Sequence, residues 1–365
     1  SMDSKVKHKL KRNVKLPMLI FYGLGNIFGA GIYVLIGEMA GLAGIYIPLS
    51  FLIACIIVSF TALSYAELSA RYPVSAGEAV YINEGFKSQN FATIVGLTIA
   101  FAGLLSSATI LDGFHGYLNT FFETSEILTA FIVIFFICII AIWGISQSII
   151  VAALLTFIET LGLMIIIYVG FEYISWDIQT LKSLTPPLEF VSLNAIILGA
   201  FLAFYAFLGF EDMVNIAEEV KTPTKTMPRA IIATLIIATL FYIAIAVISI
   251  SVVSVDELAH STAPLAKVYE NATQSGASIL SIIALFAVIN GVLIQIIMAS
   301  RIFYGMSNQG WLPNFLSIVH PKTSTPINAT IFAGIIVFLL ATTFPILTLA
   351  QSTSFLIFII FTLVN

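Results

Sequence analysis

Charge is what this sequence has least of. Of 365 residues, 15 are Lys or Arg and 19 are Asp or Glu, so only 9% of the chain is charged, against about 25% in an ordinary soluble domain. With 59% apolar residues and a mean hydropathy of +1.06, the chain has too little polar surface to stay wet. This excludes a soluble enzyme, a nucleic-acid binder and a disordered scaffold, and a net charge of −4 built from so few charges identifies no partner. Cysteine is as scarce. Cys55 and Cys138 lie in apolar runs without metal-ligating neighbours and read as buried small apolar residues. The four histidines, His8, His115, His260 and His320, are scattered and lack His or Cys partners. No zinc site, nucleophile constellation or cofactor is therefore expected, and the chain reads as something other than an enzyme.

What is abundant is long apolar sequence. A helix needs roughly 20 apolar residues to cross the hydrocarbon core, and such runs occur ten times, near 17–42, 46–71, 91–121, 127–145, 148–175, 192–217, 229–253, 277–306, 327–343 and 345–363. A membrane barrel would need short alternating strands, and runs such as Phe131 to Ile142 do not alternate. The expected fold class is an all-α polytopic membrane protein. With the N-terminus inside, Lys and Arg fall inside at Lys5, Lys7, Lys9, Lys11, Arg12, Lys15, Arg71, Lys87, Lys221, Lys225, Arg229, Arg301 and Lys322, and only Lys182 and Lys267 fall outside. Glu123, Glu126, Asp177, Glu189, Asp256, Glu257 and Glu270 occupy the outer loops instead. This asymmetry predicts a multi-pass protein of the plasma membrane with a cytoplasmic N-terminus and no cleaved leader.

Two spans carry the marks of broken helices. The first reads Gly23-Leu-Gly25-Asn26-Ile27-Phe-Gly29-Ala30-Gly31, and the sixth reads Phe204-Tyr205-Ala206-Phe207-Leu208-Gly209-Phe210-Glu211-Asp212, with two carboxylates just past a mid-span glycine. Interruptions at the first of five spans and the first of the next five are what an inverted-repeat secondary transporter presents. A half-helix starting near Gly31 would aim free N–H groups at an anion, and unwound carbonyls before it would suit a cation. That chemistry suits a zwitterion. Gly25 and Gly29 also form a GxxxG helix-packing face, and that reading stays open from sequence.

These residues resemble the amino acid–polyamine–organocation superfamily of amino acid permeases. The likeness runs over nearly the whole chain: Gly29-Ala30-Gly31-Ile32-Tyr33; Ser64 to Pro73, then Gly77-Glu78-Ala79-Val80-Tyr81; Gly209-Phe210-Glu211; Glu218-Glu219-Val220-Lys221-Thr222-Pro223 leading to Pro228-Arg229-Ala230-Ile231; and Ala299 to Met306 before Pro326-Ile327-Asn328-Ala329. The resemblance implies a five-plus-five inverted-repeat, leucine-transporter-like core with broken first and sixth helices. The expected layout is a basic N-terminal segment (1–16), a first repeat (17–175), an outer loop (176–191) and a second repeat (192–365), without the eleventh and twelfth spans common in the family. It further implies an amino acid at the bilayer midplane. Its carboxylate would lie on the N–H groups of Gly29, Ala30 and Gly31, and its ammonium on the carbonyls of Ile27, Phe204 and Leu208 beside Gly209, with Tyr205 or Phe207 closing over it as a gate.

Intramembrane carboxylates are costly, about 2.5–3.5 kcal/mol each on insertion scales, and are functional candidates by default. Glu159 stands alone in its span but for Thr156, Thr160 and Tyr168, and is a candidate for binding and releasing a proton, or for a permanent hydrogen bond to the first span. Glu211 matches an acidic position of the family, and Asp212 is expected to face the cytoplasmic path. Asn290 is expected near Glu159 or the first-span break, and Gln295, on another face, to bond between helices. Asp112 and His115, three residues apart, read as a structural pair. The function expected is proton-coupled amino acid transport by alternating access, with Glu159, Glu211 and Asn290 as coupling residues. Amino acid exchange, or a binding sensor or channel-like protein, remains the alternative. Lipid, an amino acid and a proton are the expected partners; no nucleic acid or metal is, and the sequence does not set an oligomeric state.

Overall fold

A computed structural model describes residues 10–365, so Lys5, Lys7, Lys9 and His8 lie outside the described residues. The helices are α1 (Leu16–Ala30), α2 (Ile32–Ala43), α3 (Ile47–Arg71), α4 (Gly77–Phe86), α5 (Gln89–Leu118), α6 (Glu126–Trp143), α7 (Ile145–Gly170) and α8 (Ile178–Ser183). They continue as α9 (Phe190–Phe207), α10 (Pro223–Val252), α11 (Val255–Ala259), α12 (Pro264–Thr273), α13 (Ser278–Asn308), α14 (Ile327–Ala341) and α15 (Ile346–Val364), with a 3-10 segment over Glu211–Glu219 between α9 and α10. Among the described residues, eight helical stretches are long and apolar enough to cross a membrane, and Leu16–Gly29 and Ile327–Ala341 are shorter apolar helices. The first falls short because Gly31 divides one apolar run into α1 and α2.

Helix ends follow local chemistry. Proline opens α1, α3 and α10, where the missing N–H costs nothing. Ser125, Asp177 and Ser254 cap α6, α8 and α11 by accepting N–H bonds from Leu128, Thr180 and Glu257. The Thr180 N–H holds the exposed Asp177 carboxyl below its ordinary range.

The two longest helices that are buried most deeply, α5 and α13, form the centre, with 78% of their most apolar windows buried against 33% in α6. The packing repeats itself. Exchanging the first five spans for the second carries α5 on α15 into α13 on α7, α1 on α10 into α9 on α3, α1 on α7 into α9 on α15, and α5 on α14 into α13 on α6, and all of these pairs pack together. The outer faces are lined by exposed residues such as Phe60, Phe131, Phe135, Leu154 and Leu240, as a lipid-facing surface requires.

The chain before α1 is clipped to the far end of the sixth span. Asn13 and Val14 donate N–H bonds of 2.9 Å to the Glu219 carbonyl, Lys221 N–H donates to Val14 at 2.8 Å, and Arg12 reaches the Ala217 and Val220 carbonyls at 3.2 and 3.0 Å. Arg301, counted from sequence among the basic residues of the connecting segments, is instead inside α13 and fully buried, its guanidinium forked on Glu219 at 3.2 and 3.3 Å. An Arg so placed is held by its carboxylate, not by water or phospholipid. The cysteines are only partly buried, Cys55 lying 3.2 Å from the Thr239 hydroxyl.

Candidate functional site

The sixth span is truly broken. α9 stops at Phe207, Leu208 is extended (φ −64°, ψ 138°), and Gly209 takes φ +135°, a conformation that favours glycine. The Leu208 N–H bonds the Tyr205 carbonyl three residues back, leaving the Phe204 carbonyl without that ladder donor. The Gly209 N–H is taken by the Glu211 carboxylate at 2.8 Å, which satisfies a backbone group exposed by the break.

The first span is only kinked. α1 continues through Gly29 and Ala30, and only Gly31 departs (φ −110°, ψ −69°). Its N–H still bonds the Ile27 carbonyl at 3.3 Å, and its carbonyl accepts from Leu35 at 2.9 Å. The glycines here serve close packing. A Cβ on Gly25 would fall 2.2 Å from Thr156 Oγ1 and 2.3 Å from Asn290 Nδ2, and one on Gly29 would fall 2.5 Å from the Ala287 carbonyl. A Cβ on Gly31 would fall 2.5 Å from that of Ala206, so the kink lies directly against the last turn of α9.

Tyr242 of α10 joins the two interruptions. Its hydroxyl lies 2.6 Å from the Ile27 carbonyl of α1 and 2.6 Å from the Ala206 carbonyl of α9, so one proton serves both. Its ring packs against Phe51 at 5.1 Å and Phe207 at 5.1 Å, with Phe28 at 6.1 Å. Tyr205 is fully buried and shares a 3.0 Å bond with the Ser106 hydroxyl of α5. Phe204 points the other way, packing on Phe358 and Phe361 of α15.

Two polar clusters flank this point. Behind α1, Glu159 is buried with Oε1 accepting from Asn290 Nδ2 at 2.9 Å, while Oε2 has no partner. The same Asn290 amide donates to Thr156 Oγ1 at 2.8 Å, and that hydroxyl lies 3.0 Å from the Phe21 carbonyl of α1. Tyr33 of α2 donates to the Glu159 main-chain carbonyl at 2.5 Å. On the other side, Asp212 Oδ2 accepts from Asn26 Nδ2 of α1 at 2.5 Å and Gln295 Nε2 of α13 at 2.7 Å. Asn290 and Gln295 do serve different faces of α13. Asp212, expected along the cytoplasmic path, turns inward to the first span because these two amides supply the donors a buried carboxylate needs.

Other expected pairings differ. His115 bonds the Thr124 carbonyl at 3.0 Å instead of Asp112. Sequence reasoning passed over Tyr242, and gave Tyr33 and Glu78 no role beyond their places in the family motifs. Glu78 opens α4, beyond the spans; burial pushes its carboxyl up to about 8, and α4 is tied to the 3-10 segment by a 3.1 Å bond from Gly77 N–H to Asn215 Oδ1. Asn215 and Glu218, which accepts from Ser75 N–H at 3.1 Å, are polar residues that a broken span was bound to need partnered.

Comparison with known proteins places this geometry. The branched-chain amino acid permease BcaP of Bacillus subtilis (strain 168) is 28% identical over 94% of this chain and 77% of its own length. The vacuolar cationic amino acid transporter 4 of Arabidopsis thaliana is 28% identical over 92% of this chain, which spans 59% of that relative's length. The methylthioribose transporter of Bacillus subtilis (strain 168) is 26% identical over 92% of this chain and 76% of its length. Among solved structures, MhsT in complex with L-phenylalanine superposes with a TM-score of 0.70 at 13% identity, covering 98% of this chain and 89% of that one. A Na+-coupled sialic acid symporter in a substrate-bound outward-open state gives 0.58 at 15% identity, covering 88% and 74%. At such identities the likeness is one of fold, and the fold is the leucine-transporter-like arrangement with its first and sixth helices interrupted. The family profile described as amino acid permease matches residues 15–365, and the chain belongs to that family.

Proposed function

We propose that the protein is a secondary active transporter that carries an amino acid across the plasma membrane by alternating access, coupled to protons, with its N-terminus in the cytoplasm. The observation that carries this reading is the meeting of both interrupted helices at the Tyr242 hydroxyl, 2.6 Å from a carbonyl of each. A substrate ammonium brought to the Ile27, Phe204 and Leu208 carbonyls competes with that hydroxyl for the Ile27 carbonyl. The carboxylate falls to the N–H groups of Gly29, Ala30 and Gly31, and since Gly31 N–H is bonded to Ile27, binding has to open the kink. Tyr205 and Phe207, on the last turn of α9 beside Gly209, close over the bound molecule.

The moving group is α1, α2, α3, α9, the 3-10 segment and α10, which pack on one another; the scaffold is α5, α6, α13 and α14. Glu159 sits at the seam between them, bonded to α13 through Asn290 and reached from α2 by Tyr33. A proton arriving at its unpartnered Oε2 changes the charge behind α1 and so biases the two states, with Glu211 responding at the other break. The two repeats, 17–175 and 192–365, supply one half of the site each.

The test is uptake into proteoliposomes from a pool of labelled amino acids, with and without an inside-alkaline pH gradient. We expect accumulation of one or a few amino acids only with the gradient. Glu159→Gln is expected to retain exchange of preloaded substrate while losing pH dependence; an unchanged pH profile would rule out the coupling role of Glu159. Uptake indifferent to the gradient but dependent on preloaded substrate would make the protein an exchanger.

A further inference from the structure

Two grooves run side by side on the lipid-facing surface at the end of the molecule away from the N-terminal strand. The larger, about 630 Å³, lies between α7, α10 and the short helix α8. The smaller, about 220 Å³, lies between α10, the start of α3 and the turn before it. Ile45, Leu184 and Ile243 line both, so these three side chains form a ridge between the grooves. Their place in the membrane follows from α10. That helix starts at Pro223, beside the bond from Lys221 N–H to Val14, so Ser251 in its last turn marks the opposite side.

Length and chemistry together narrow the occupant. The larger groove follows α10 from Leu240 to Ser251, about 16 Å of helix at its ordinary rise. The hydrocarbon core is about 30 Å thick, so the groove is as deep as one leaflet. At its rim stand Trp176 and Tyr173, residue types that gather where membrane meets water. The Tyr173 hydroxyl donates to the Ala272 carbonyl at 2.9 Å, which keeps its ring in the wall. Both grooves open sideways onto the lipid-facing surface: Leu240 in the larger is 67% exposed and Leu52 in the smaller 44%. No charged residue lines either groove among the described residues. On α8, Thr180, Leu181, Ser183 and Leu184 share the lining face by their spacing, and Lys182 falls on the opposite one. The occupant is therefore apolar where it touches the walls and enters from the bilayer. A ridge between two grooves suits two flexible chains, and does not suit one rigid plate.

We propose that the paired grooves bind one diacyl phospholipid of the leaflet opposite the N-terminal strand, its two acyl chains straddling the ridge of Ile45, Leu184 and Ile243 and its headgroup at the Trp176 rim. Chain packing holds the lipid, and headgroup charge does not select it. The bound chains cover the apolar face of α8 and join α10 to the segment after α7. Ile243 lies on α10, which belongs to the moving group proposed above, so an effect of the lipid on transport rests on that reading. Its binding does not, and the experiment reads binding.

The experiment takes the purified full chain from a bilayer of mixed phospholipids into detergent and counts the retained lipids by native mass spectrometry. The wild type is expected to keep one diacyl phospholipid. Phosphatidylcholine and phosphatidylglycerol should replace it with affinities within roughly threefold of each other, since charge selection needs a basic side chain in the wall. Lysophosphatidylcholine, with a single chain, should bind at least roughly tenfold more weakly because much of the apolar contact is gone. Ala244→Trp fills the larger groove and Leu184→Asp puts a charge on the ridge, and both should lose the lipid. Leu154→Trp, on the lipid-facing surface outside both grooves, should keep it. A wild type that retains no diacyl phospholipid overturns the proposal, as does unchanged retention in either groove variant. So does a sterol or lysolipid that competes as well as the diacyl lipid, or a marked preference for the anionic headgroup. If Ala244→Trp does not fold, the wild type's preference for two chains and Leu184→Asp decide.

Discussion

The first and sixth spans carry similar cues in sequence and break very differently. The four glycines from Gly23 to Gly31 in the first yield a one-residue kink at Gly31, across which the hydrogen bonds continue. In the sixth, the single glycine at the break, Gly209, accompanies a full interruption from Leu208 to Phe210, followed by nine residues of 3-10 helix. The difference lies in what satisfies the freed backbone. Inside a membrane an N–H released from its ladder needs another partner, and Glu211 supplies one to Gly209. Gly25, Gly29 and Gly31 face the backbone and side chains of α7, α9 and α13, and Gly23 faces the 3-10 segment and α10, all of which gain from close approach. Glycine makes a break permissible; a nearby side chain that can cap the loose ends makes it stable.

The sharpest way to break this comparison is at the anchor of the sixth span. The Glu219 carboxylate at the end of the 3-10 segment is fully buried against Arg301, and no ion pair among the described residues holds α2. Arg301→Gln leaves that carboxylate uncompensated and is expected to cost about 3–5 kcal/mol, read as a large fall in thermal unfolding temperature. Replacing both partners with leucine should recover much of the loss, because the cost lies in the unpaired charge. A single variant as stable as the wild type would show that the 3-10 segment is held by other means.

A smaller effect separates the two glycines. Gly209→Ala forces a side chain into φ +135° and sets the new Cβ 2.8 Å from Asn26 Nδ2; it is expected to lose about 1–3 kcal/mol through strain in its own backbone, and trimming of neighbours leaves that strain in place. Gly31→Ala meets no such constraint at φ −110°, and its cost comes from the 2.5 Å approach of the new Cβ to that of Ala206. Ala206→Gly is therefore expected to recover part of the Gly31→Ala loss. Equal losses in the single variant and that pair would mean the first-span kink is strained backbone after all.

These distinctions bound what the sequence could disclose. Apart from the sixth-span break, helix ends agree with the apolar runs to within six residues because hydropathy over a bilayer's thickness is a one-dimensional property. The sixth-span break was legible for a related reason, since Glu211 and Asp212 beside Gly209 cannot sit in an unbroken lipid-facing helix. The partnership of Glu159 with Asn290 was legible too, because an intramembrane carboxyl must find a donor and few were on offer. The extent of the first break was not, since Gly25 and Gly29 read equally as packing face or hinge until their neighbours are known. Nor was the partner of Asp212, as Asn26 and Gln295 lie 186 and 83 residues away. Arg301 was misplaced because a rule about loop charge does not see that a helix can carry a buried Arg opposite Glu219.

The smallest expected effect tests whether the two interruptions are joined at all. Tyr242→Phe keeps the ring among Phe28, Phe51 and Phe207 and removes only the hydroxyl between Ile27 and Ala206. The Ile27 carbonyl still receives the Gly31 N–H, so it is the Ala206 carbonyl that loses its donor, and the loss should stay near the low end of what one unpaired buried acceptor costs, about 1–2 kcal/mol. The more telling readout is the apparent affinity in substrate exchange. An ammonium that must displace the hydroxyl competes with it, so the phenylalanine variant should bind substrate more tightly while being slightly less stable. Stability and affinity falling together would mean that Tyr242 supports the bound state, and that the hydroxyl stays with the carbonyls when the site is filled.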